Sequence, residues 1–196
     1  EYICKIPYFY LVSTTIKYIL ILLTFLSLEG SVNAQTKSDS VNAIRCFQLF
    51  MEHEYGDTLN ARLYSDSSLY YAERSQNHYL LAIANQYKGW YYQDRSNYPE
   101  AKKHFLEALR YSKLSNLSQC IADSYGNLGI ICLEMNEHVR SLDYQLKSVR
   151  QNDVILESII PNDERQRALE GKTYALSNIA DIFRDLDLFD KALEYE

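Results

Sequence analysis

The sequence repeats itself at a period of 40 residues. The stretch from Ser68 to Gly89 aligns without a gap on the stretch from Ala108 to Gly129, and small, apolar, aromatic and glycine positions coincide. A period in this range is typical of one supersecondary unit stacked on copies of itself, and not of a chain that folds around a single closed core. Because a repeat array offers mainly surface, the pattern favours binding over catalysis.

The composition favours helices and excludes one class of partner. The chain contains 18 tyrosines but only six glycines and three prolines, which is typical of a folded helical protein and not of a disordered segment. The net charge is −6, so the sequence lacks the basic surplus that a nucleic-acid-binding face requires. We therefore expect no nucleic-acid partner for this segment.

Residues 1–34 have the layout of a secretory signal peptide. Two lysines precede an apolar run from Tyr18 to Leu28, and Val32 and Ala34 stand at the third and first positions before a small-residue cleavage site. The alternative is an uncleaved membrane anchor, but the eleven residues of this run are too few to span about 30 Å of hydrocarbon. We expect export and cleavage after Ala34.

Cleavage would leave a repeat domain over residues 35–196 with Cys46, Cys120 and Cys132. The last two are separated by about 18 Å on one predicted helix, which is too far for a disulfide bond. We expect all three to be buried as small hydrophobic residues. The histidines show no ligand spacing, and the sequence has no phosphate loop or nucleophile motif, so we expect no metal, no cofactor and no enzyme activity.

The stretch from Ala82 to Leu114 shows the spacing of a helix, a tight turn and a second helix. In the turn "RSNYPE", Asn97 can cap the second helix, Pro99 fits its first turn and Glu100 completes the spacing of a capping box. Small and aromatic residues then recur at i, i+4 and i+7. The repeating unit is therefore predicted to be a pair of helices.

The order of small and large positions in these units resembles the tetratricopeptide repeat, with the pattern W-x2-L-G-x2-Y followed by A-x3-F-x2-A. The best copy fills this pattern with Gly89, Tyr92, Ala101, Phe105 and Ala108. The next copy contributes Tyr125, Leu128, Gly129, Cys132, Ser141, Gln145 and Ser148, and a third contributes Leu176, Ile179, Ala180, Phe183 and Ala192. A weaker, earlier copy contributes Ala61 and Ser68. Asn85 and Lys88 depart from the pattern, because they stand at its Trp and Leu positions.

The resemblance implies an all-α fold, an α-α superhelix of about three to four repeats with a right-handed twist. The two backbones of a unit cross closely, so we expect Gly129 to lie at a crossing that has no room for a side chain. The interval from Gly129 to Ala180 is longer than 40 residues. We place the excess in residues 151–172, where Asn162 is expected to begin a helix. The last repeat is incomplete at Glu196, and we expect more repeats to follow.

In the resembling family the first helix of each unit lines the concave inner wall of the superhelix. The resemblance therefore implies a protein or peptide ligand in that groove, contacted by Gln86, Trp90, Gln93, Asn127, Ile130, Leu133, Asn178, Asp181 and Arg184. Alternatives stay open for several of these residues. Ile130 and Leu133 are explained somewhat better as core residues, and Asn127 and Asn178 either contact the ligand or bond only to the backbone. Trp90, the single tryptophan, either anchors a ligand or packs against the neighbouring unit.

A signal peptide followed by such repeats is similar to the exported sensing part of bacterial signalling proteins. We expect a location in the periplasm or cell envelope of a Gram-negative bacterium, with an output domain beyond a later membrane segment. The membrane would then be contacted only through the signal peptide or that later segment. The alternative is a free-standing secreted scaffold that holds other envelope proteins.

Overall fold

The structure, a computed structural model, describes residues 32–53 and 58–195. Within these ranges it contains eight helices and no strand: α1 (32–53), α2 (Thr58–Ser75), α3 (His78–Gln93), α4 (Tyr98–Ser115), α5 (Ser118–Glu134), α6 (His138–Leu156), α7 (Asn162–Asp185) and α8 (Phe189–Ala192). From α2 onward each helix packs on the next one in the chain. The all-α prediction is confirmed for this part of the chain.

The predicted signal peptide lies outside the described residues, apart from 32–34, which form the start of α1. In the described ranges, every helix is too short or too polar to cross a lipid bilayer. Cys46, Cys120 and Cys132 are buried free thiols, as expected for small hydrophobic residues.

The helices repeat at half the period of the sequence. α2 to α6 begin at Thr58, His78, Tyr98, Ser118 and His138, so that successive helices start 20 residues apart. Their connections have only two to four residues. The six residues by which the period exceeds the 34 of a tetratricopeptide repeat therefore lengthen the helices and not the turns. The longer last interval is taken up by the connection 157–161 and by α7, which begins at Asn162 as expected.

One face of every second helix is buried in the same register. The residues concerned are Ala61, Ser65 and Ser68 in α2, Ala101, Phe105 and Ala108 in α4, and Ser141, Gln145 and Ser148 in α6. They recur at 40 residues, and none is more than 3% exposed. Their small size lets the partner helix approach closely, while the middle residue of the α4 and α6 sets fills the remaining space.

Glycine is required where the two helices of a unit cross. A Cβ added to Gly129 would overlap the amide of Gln145, and one added to Gly89 would overlap the ring of Phe105. In both units the residue that blocks the glycine lies 16 positions further along the chain. The expected close crossing at Gly129 is confirmed, and Gly89 lies at its equivalent.

The unit of α5 and α6 replaces apolar packing with a ladder of hydrogen bonds. Ser141 Oγ donates to the carbonyl of Gly129 at 2.7 Å. Gln145 Nε2 donates to the carbonyl of Gly126 at 3.3 Å, and Ser148 Oγ donates to the carbonyl of Ala122 at 3.0 Å. Because buried polar groups cost free energy unless they are paired, these bonds allow polar side chains to occupy core positions.

The two departures from the family pattern are buried polar residues. Asn85 and Lys88 are 4% and 6% exposed. Lys88 forms an ion pair with Asp66 on α2, and its ammonium lies 5.2 Å from the ring centre of Tyr91. Asn85 Oδ1 lies 3.0 Å from Nδ1 of His104. Burial, with Lys88 nearby, lowers the pKa of His104. A polar cluster thus joins α2, α3 and α4 where the pattern would place apolar residues.

The turn at the start of α4 differs in one detail from its prediction. Asn97 is the capping residue, but its side chain makes no capping hydrogen bond. The asparagine at the start of α3 does cap its helix, because Asn77 Oδ1 accepts from the backbone N–H of Leu80 at 3.2 Å. The position of the helix start was predictable, whereas the rotamer of the capping residue depends on its neighbours.

We expect Ser96→Gly to stabilise the protein by about 0.5–1 kcal/mol. Ser96 has φ of 54°, a left-handed conformation that costs an L-residue more than it costs glycine. The matched variant Asn116→Gly, at φ of 53°, should gain less, because asparagine tolerates this conformation better than serine. Urea unfolding of the two variants measures the difference. A less stable Ser96→Gly variant would contradict the backbone conformation of this turn.

Candidate functional site

Three helices from successive units form a shared surface. α3 contacts α5, and α5 contacts α7, although neither pair is consecutive in the chain. Two cavities lie over α5, with volumes of about 330 and 580 Å³. Both are lined by residues of α3, α5, α6 and α7, and Asp123 lines both. We call the two cavities together the α5 groove.

The smaller cavity, here named the amide cavity, is rich in carboxamide side chains. Its lining residues are Gln86 and Trp90 of α3, Ala122, Asp123, Gly126, Asn127 and Ile130 of α5, Gln145 and Ser148 of α6, and Gly171, Tyr174, Ala175 and Asn178 of α7. Carboxamides both donate and accept hydrogen bonds, as a peptide backbone does. The lining can therefore pair with either kind of backbone group.

The larger cavity, here named the apolar cavity, continues the groove toward the start of α5. Its apolar side chains come from α3, from α5 and the residue before it, from α6 and from the connection that follows α6, whereas α7 contributes only charged side chains. The full lining is Tyr79, Ile83, Leu117, Ser118, Gln119, Cys120, Asp123, Val154, Ile155, Ser158, Ile160, Glu164 and Arg167. A volume of this size, with mainly apolar walls and a few polar groups, is typical of ligand sites.

Trp90 has a structural role and also lines the groove. Its indole N–H donates to Oδ1 of Asn127 at 3.4 Å, which links α3 to α5. Its ring lies edge-to-face on Tyr87, with centroids 5.3 Å apart. The side chain is half-buried and lines the amide cavity. Trp90 thus packs against the neighbouring unit, and its remaining surface faces the cavity.

Two carboxamides of the amide cavity have unused hydrogen-bonding capacity. Oε1 of Gln145 and Nδ2 of Asn127 are buried and have no partner in the described part of the chain. Gln145 is fully buried, and its orientation follows from its Nε2 donating to the carbonyl of Gly126, which can only accept. A buried polar atom without a partner costs about 1–3 kcal/mol. Both atoms have almost no accessible surface, so a ligand in the cavity could pair with them only after the side chains rotate.

Asp123 is the charged residue that the two cavities share. Its side chain is open to solvent but surrounded by protein on several sides, and burial raises the pKa of Asp123, while the bond from Gln119 and the charge of Arg167 lower it. Gln119 Nε2 donates to Oδ1 of Asp123 at 2.9 Å. Burial, with Asp123 as a smaller cause, raises the pKa of the Cys120 thiol to about 11. That thiol is therefore protonated at neutral pH and is a poor nucleophile.

The structure brings five of the nine predicted contact residues to one cavity. Gln86, Trp90, Asn127, Ile130 and Asn178 line the amide cavity. Gln86 is 4% exposed, and its Nε2 lies 3.5 Å from Oγ of Ser124, so it also ties α3 to α5. That these five residues contact a ligand stays a prediction.

The other four predicted residues lie toward the C-terminal ends of their helices. They are Gln93 in α3, Leu133 in α5, and Asp181 and Arg184 in α7. None of them lines either cavity. Asp181 and Arg184 form an ion pair at 2.6 Å. The groove is displaced from the predicted surface toward the N-terminal ends of the three helices.

Sequence reasoning missed the residues one helical turn before the predicted ones. Ile83, Asp123 and Tyr174 precede Gln86, Asn127 and Asn178 by three or four positions and line the groove. The repeat alignment contained a signal for them, because Ile83 and Asp123 are separated by one period of 40 residues. The longer helices extend the inner wall by about one turn at this end.

The described residues include no group of three or more His, Cys, Asp and Glu side chains arranged to hold a metal ion. The groove offers carboxamides, hydroxyls, one central carboxylate and apolar walls. These groups are suited to hydrogen bonding and packing against a ligand.

Comparisons with known proteins give structural similarity alone. No protein-family model matches the sequence. No curated protein matches it. Among solved structures, the fold is similar to the crystal structure of BtubC (BKLC) from P. vanneervenii, with a TM-score of 0.46 and 16% sequence identity over 84% of this chain and 87% of that one. Similarity at this level carries no conclusion about function.

Proposed function

We propose that the helices are tetratricopeptide-like repeats arranged in a right-handed superhelix. Three observations support this proposal. The positions that carry the sequence pattern recur in the buried faces of α2, α4 and α6. Gly89 and Gly129 lie at equivalent crossings, each blocked by the residue 16 positions later. The first helices of successive units contact one another, as the inner wall of such a superhelix requires.

The α5 groove is proposed to bind an extended segment of a partner protein. The observation that carries this function is the convergence of α3, α5 and α7 on one groove lined by carboxamides and a half-buried tryptophan. Carboxamides match the alternating donors and acceptors of an extended backbone, and a tryptophan supplies an aromatic contact surface. The role is binding, and we propose no catalytic activity for the described residues.

Trp90 makes the proposal testable without a label, because it is the only tryptophan in the chain. We would select tryptophan-free octapeptides from a random display library on the full chain and titrate the selected peptides individually. Binding in the α5 groove is expected to shift the emission of Trp90. Asn178→Ala should weaken binding severalfold, since Asn178 lines the amide cavity and is only half-buried.

The matched control is Gln48→Ala, which removes an exposed amide on α1, away from both cavities. Its affinity should equal that of the parent. The groove would be refuted as the binding site if no octapeptide could be selected. It would also be refuted if the selected peptides bound without changing Trp90 emission and bound Asn178→Ala as tightly as the parent.

The biological setting is proposed from the N-terminal pattern of residues 1–34. The repeats would be the exported, periplasmic sensing part of a larger signalling protein, and the second candidate is a free-standing envelope scaffold.

Mass spectrometry of protein recovered from the cell envelope should find Gln35 at the N-terminus. An intact N-terminus would favour the membrane anchor. If the gene continues beyond Glu196 and encodes a membrane segment and an output domain, the sensor is favoured. If it encodes neither, the scaffold is favoured.

A further inference from the structure

The α5 groove changes in chemistry along its length. At the start of α5 the apolar cavity presents the aliphatic side chains of Ile83, Val154 and Ile160. At the other end the amide cavity presents carboxamides. Asp123 stands at the junction, since it lines both cavities. A ligand that fills the whole groove must therefore satisfy an aliphatic surface, a carboxylate and a set of amides in this order.

The described residues that line the groove carry a net negative charge. Asp123 and Glu164 are the two carboxylates of the lining, and Arg167 is its one guanidinium. Arg167 is already paired with Asp163, with the nearest atoms 3.4 Å apart. Asp123 Oδ1 accepts from Gln119, while its Oδ2 has no hydrogen-bond partner among the described residues. The junction is therefore complementary to a cation.

Asp123 is exposed between the two cavities, so a ligand in the groove can reach its carboxylate. Burial raises the pKa of Asp123, while the hydrogen bond from Gln119 and the charge of Arg167 lower it. A cationic group placed against Oδ2 would form a charge-assisted hydrogen bond in surroundings less polar than bulk water. Arg167 is the one cationic side chain among the described residues of the lining, and it is paired with Asp163.

The length of the groove fits a short extended peptide. Leu117 and Ile130 mark its ends on α5, and they are separated by about 20 Å along the helix axis. An extended chain covers this distance with about six residues at ~3.3 Å each, and every second side chain points to the same face. Cys120, Asp123 and Asn127 are about one turn apart, which is close to the spacing of such alternate side chains.

We propose that the α5 groove selects peptide segments that carry a lysine or arginine close to an aliphatic residue. The basic side chain pairs with Asp123, the aliphatic side chain enters the apolar cavity, and the remaining backbone lies against the carboxamides of the amide cavity. This inference rests on the proposed function, since it specifies the ligand of the same groove. It adds a chemical identity for the side chains that the groove recognises.

A random octapeptide library displayed against the full chain tests this specificity. We expect the selected peptides to be enriched in lysine or arginine within one to three positions of leucine, isoleucine or valine. For one selected peptide, replacement of its basic residue by glutamine should weaken binding about tenfold, as for loss of a hydrogen bond to a charged group. Asp123→Asn should lower the affinity for the unsubstituted peptide by a similar factor. It should leave the affinity for the glutamine-substituted peptide unchanged.

The control variant is Asp143→Asn, which removes a carboxylate from α6 that pairs with Lys147 and lines neither cavity. Its selected peptides should keep the basic enrichment. Two results would overturn the specificity while the proposed function stands. In the first, the selected peptides bind and shift Trp90 emission but are not enriched in lysine or arginine. In the second, Asp123→Asn does not change the affinity for a peptide that contains lysine or arginine. A library from which no peptide binds would overturn the proposed function itself, and this inference with it.

Discussion

Replacing Phe105 with alanine is expected to lower the free energy of unfolding by about 3–5 kcal/mol. Phe105 is fully buried and belongs to an apolar cluster with Ala101, Leu128 and Ile131, which joins α4 to α5 of the next unit. Its ring also fills the space left by Gly89. The substitution removes this contact from both the unit and the interface, and neighbouring helices can close only part of the cavity.

Guanidinium chloride unfolding followed by far-ultraviolet circular dichroism measures this loss. The control is Leu106→Ala on the same helix, one residue further along, where the side chain is 43% exposed. Substitutions at such a position usually change stability by about 0.5 kcal/mol or less. Equal losses in the two variants would show that Phe105 does not occupy the interior, and the register of the repeat would be wrong.

Gly89→Leu is expected to destabilise the protein by about 1–3 kcal/mol. A Cβ at this position would overlap the Phe105 ring, which is fully buried and rigid. The ring or the helix backbone would therefore have to move. The same substitution at Gly129 should cost less, because its Cβ would meet the flexible amide of Gln145 and not an aromatic ring.

Gly126→Ala is the control for helix propensity. A Cβ at Gly126 would lie 3.5 Å from Oγ of Ser148, which is an ordinary contact. Alanine is about 1 kcal/mol more favourable than glycine within a helix, so this variant should be more stable than the parent. Thermal unfolding compares Gly89→Leu, Gly129→Leu and Gly126→Ala. A stable Gly89→Leu variant would contradict the close crossing of α3 and α4.

The groove was only partly predictable. The family resemblance led to Gln86, Trp90, Asn127, Ile130 and Asn178, which the fold gathers in the amide cavity. It also led to Gln93, Leu133, Asp181 and Arg184, which lie outside both cavities. The difference arises because the family pattern gives the face of each helix but not the position of the groove along the helix axes.

The repeating unit could be predicted from the amino-acid sequence. The order of small and large residues at a 40-residue period was enough to predict helix pairs, the close crossing at Gly129 and the helix that begins at Asn162. These features are local, since they depend on residues within one unit and on backbone sterics. They could be derived because helical periodicity and side-chain size are visible in a linear chain.

The burial of polar residues in the core and the position of the groove depend on long-range packing and could not be predicted from the repeat pattern. Gln145 occupies the position equivalent to Phe105 because the carbonyl of Gly126 accepts its amide, and Lys88 is buried because Asp66 pairs with it. Asp123 lies at the centre of the groove because α3 and α7 both pack against α5. Each of these outcomes depends on partners that are distant in sequence, and the free energy of a buried polar group is set by such partners.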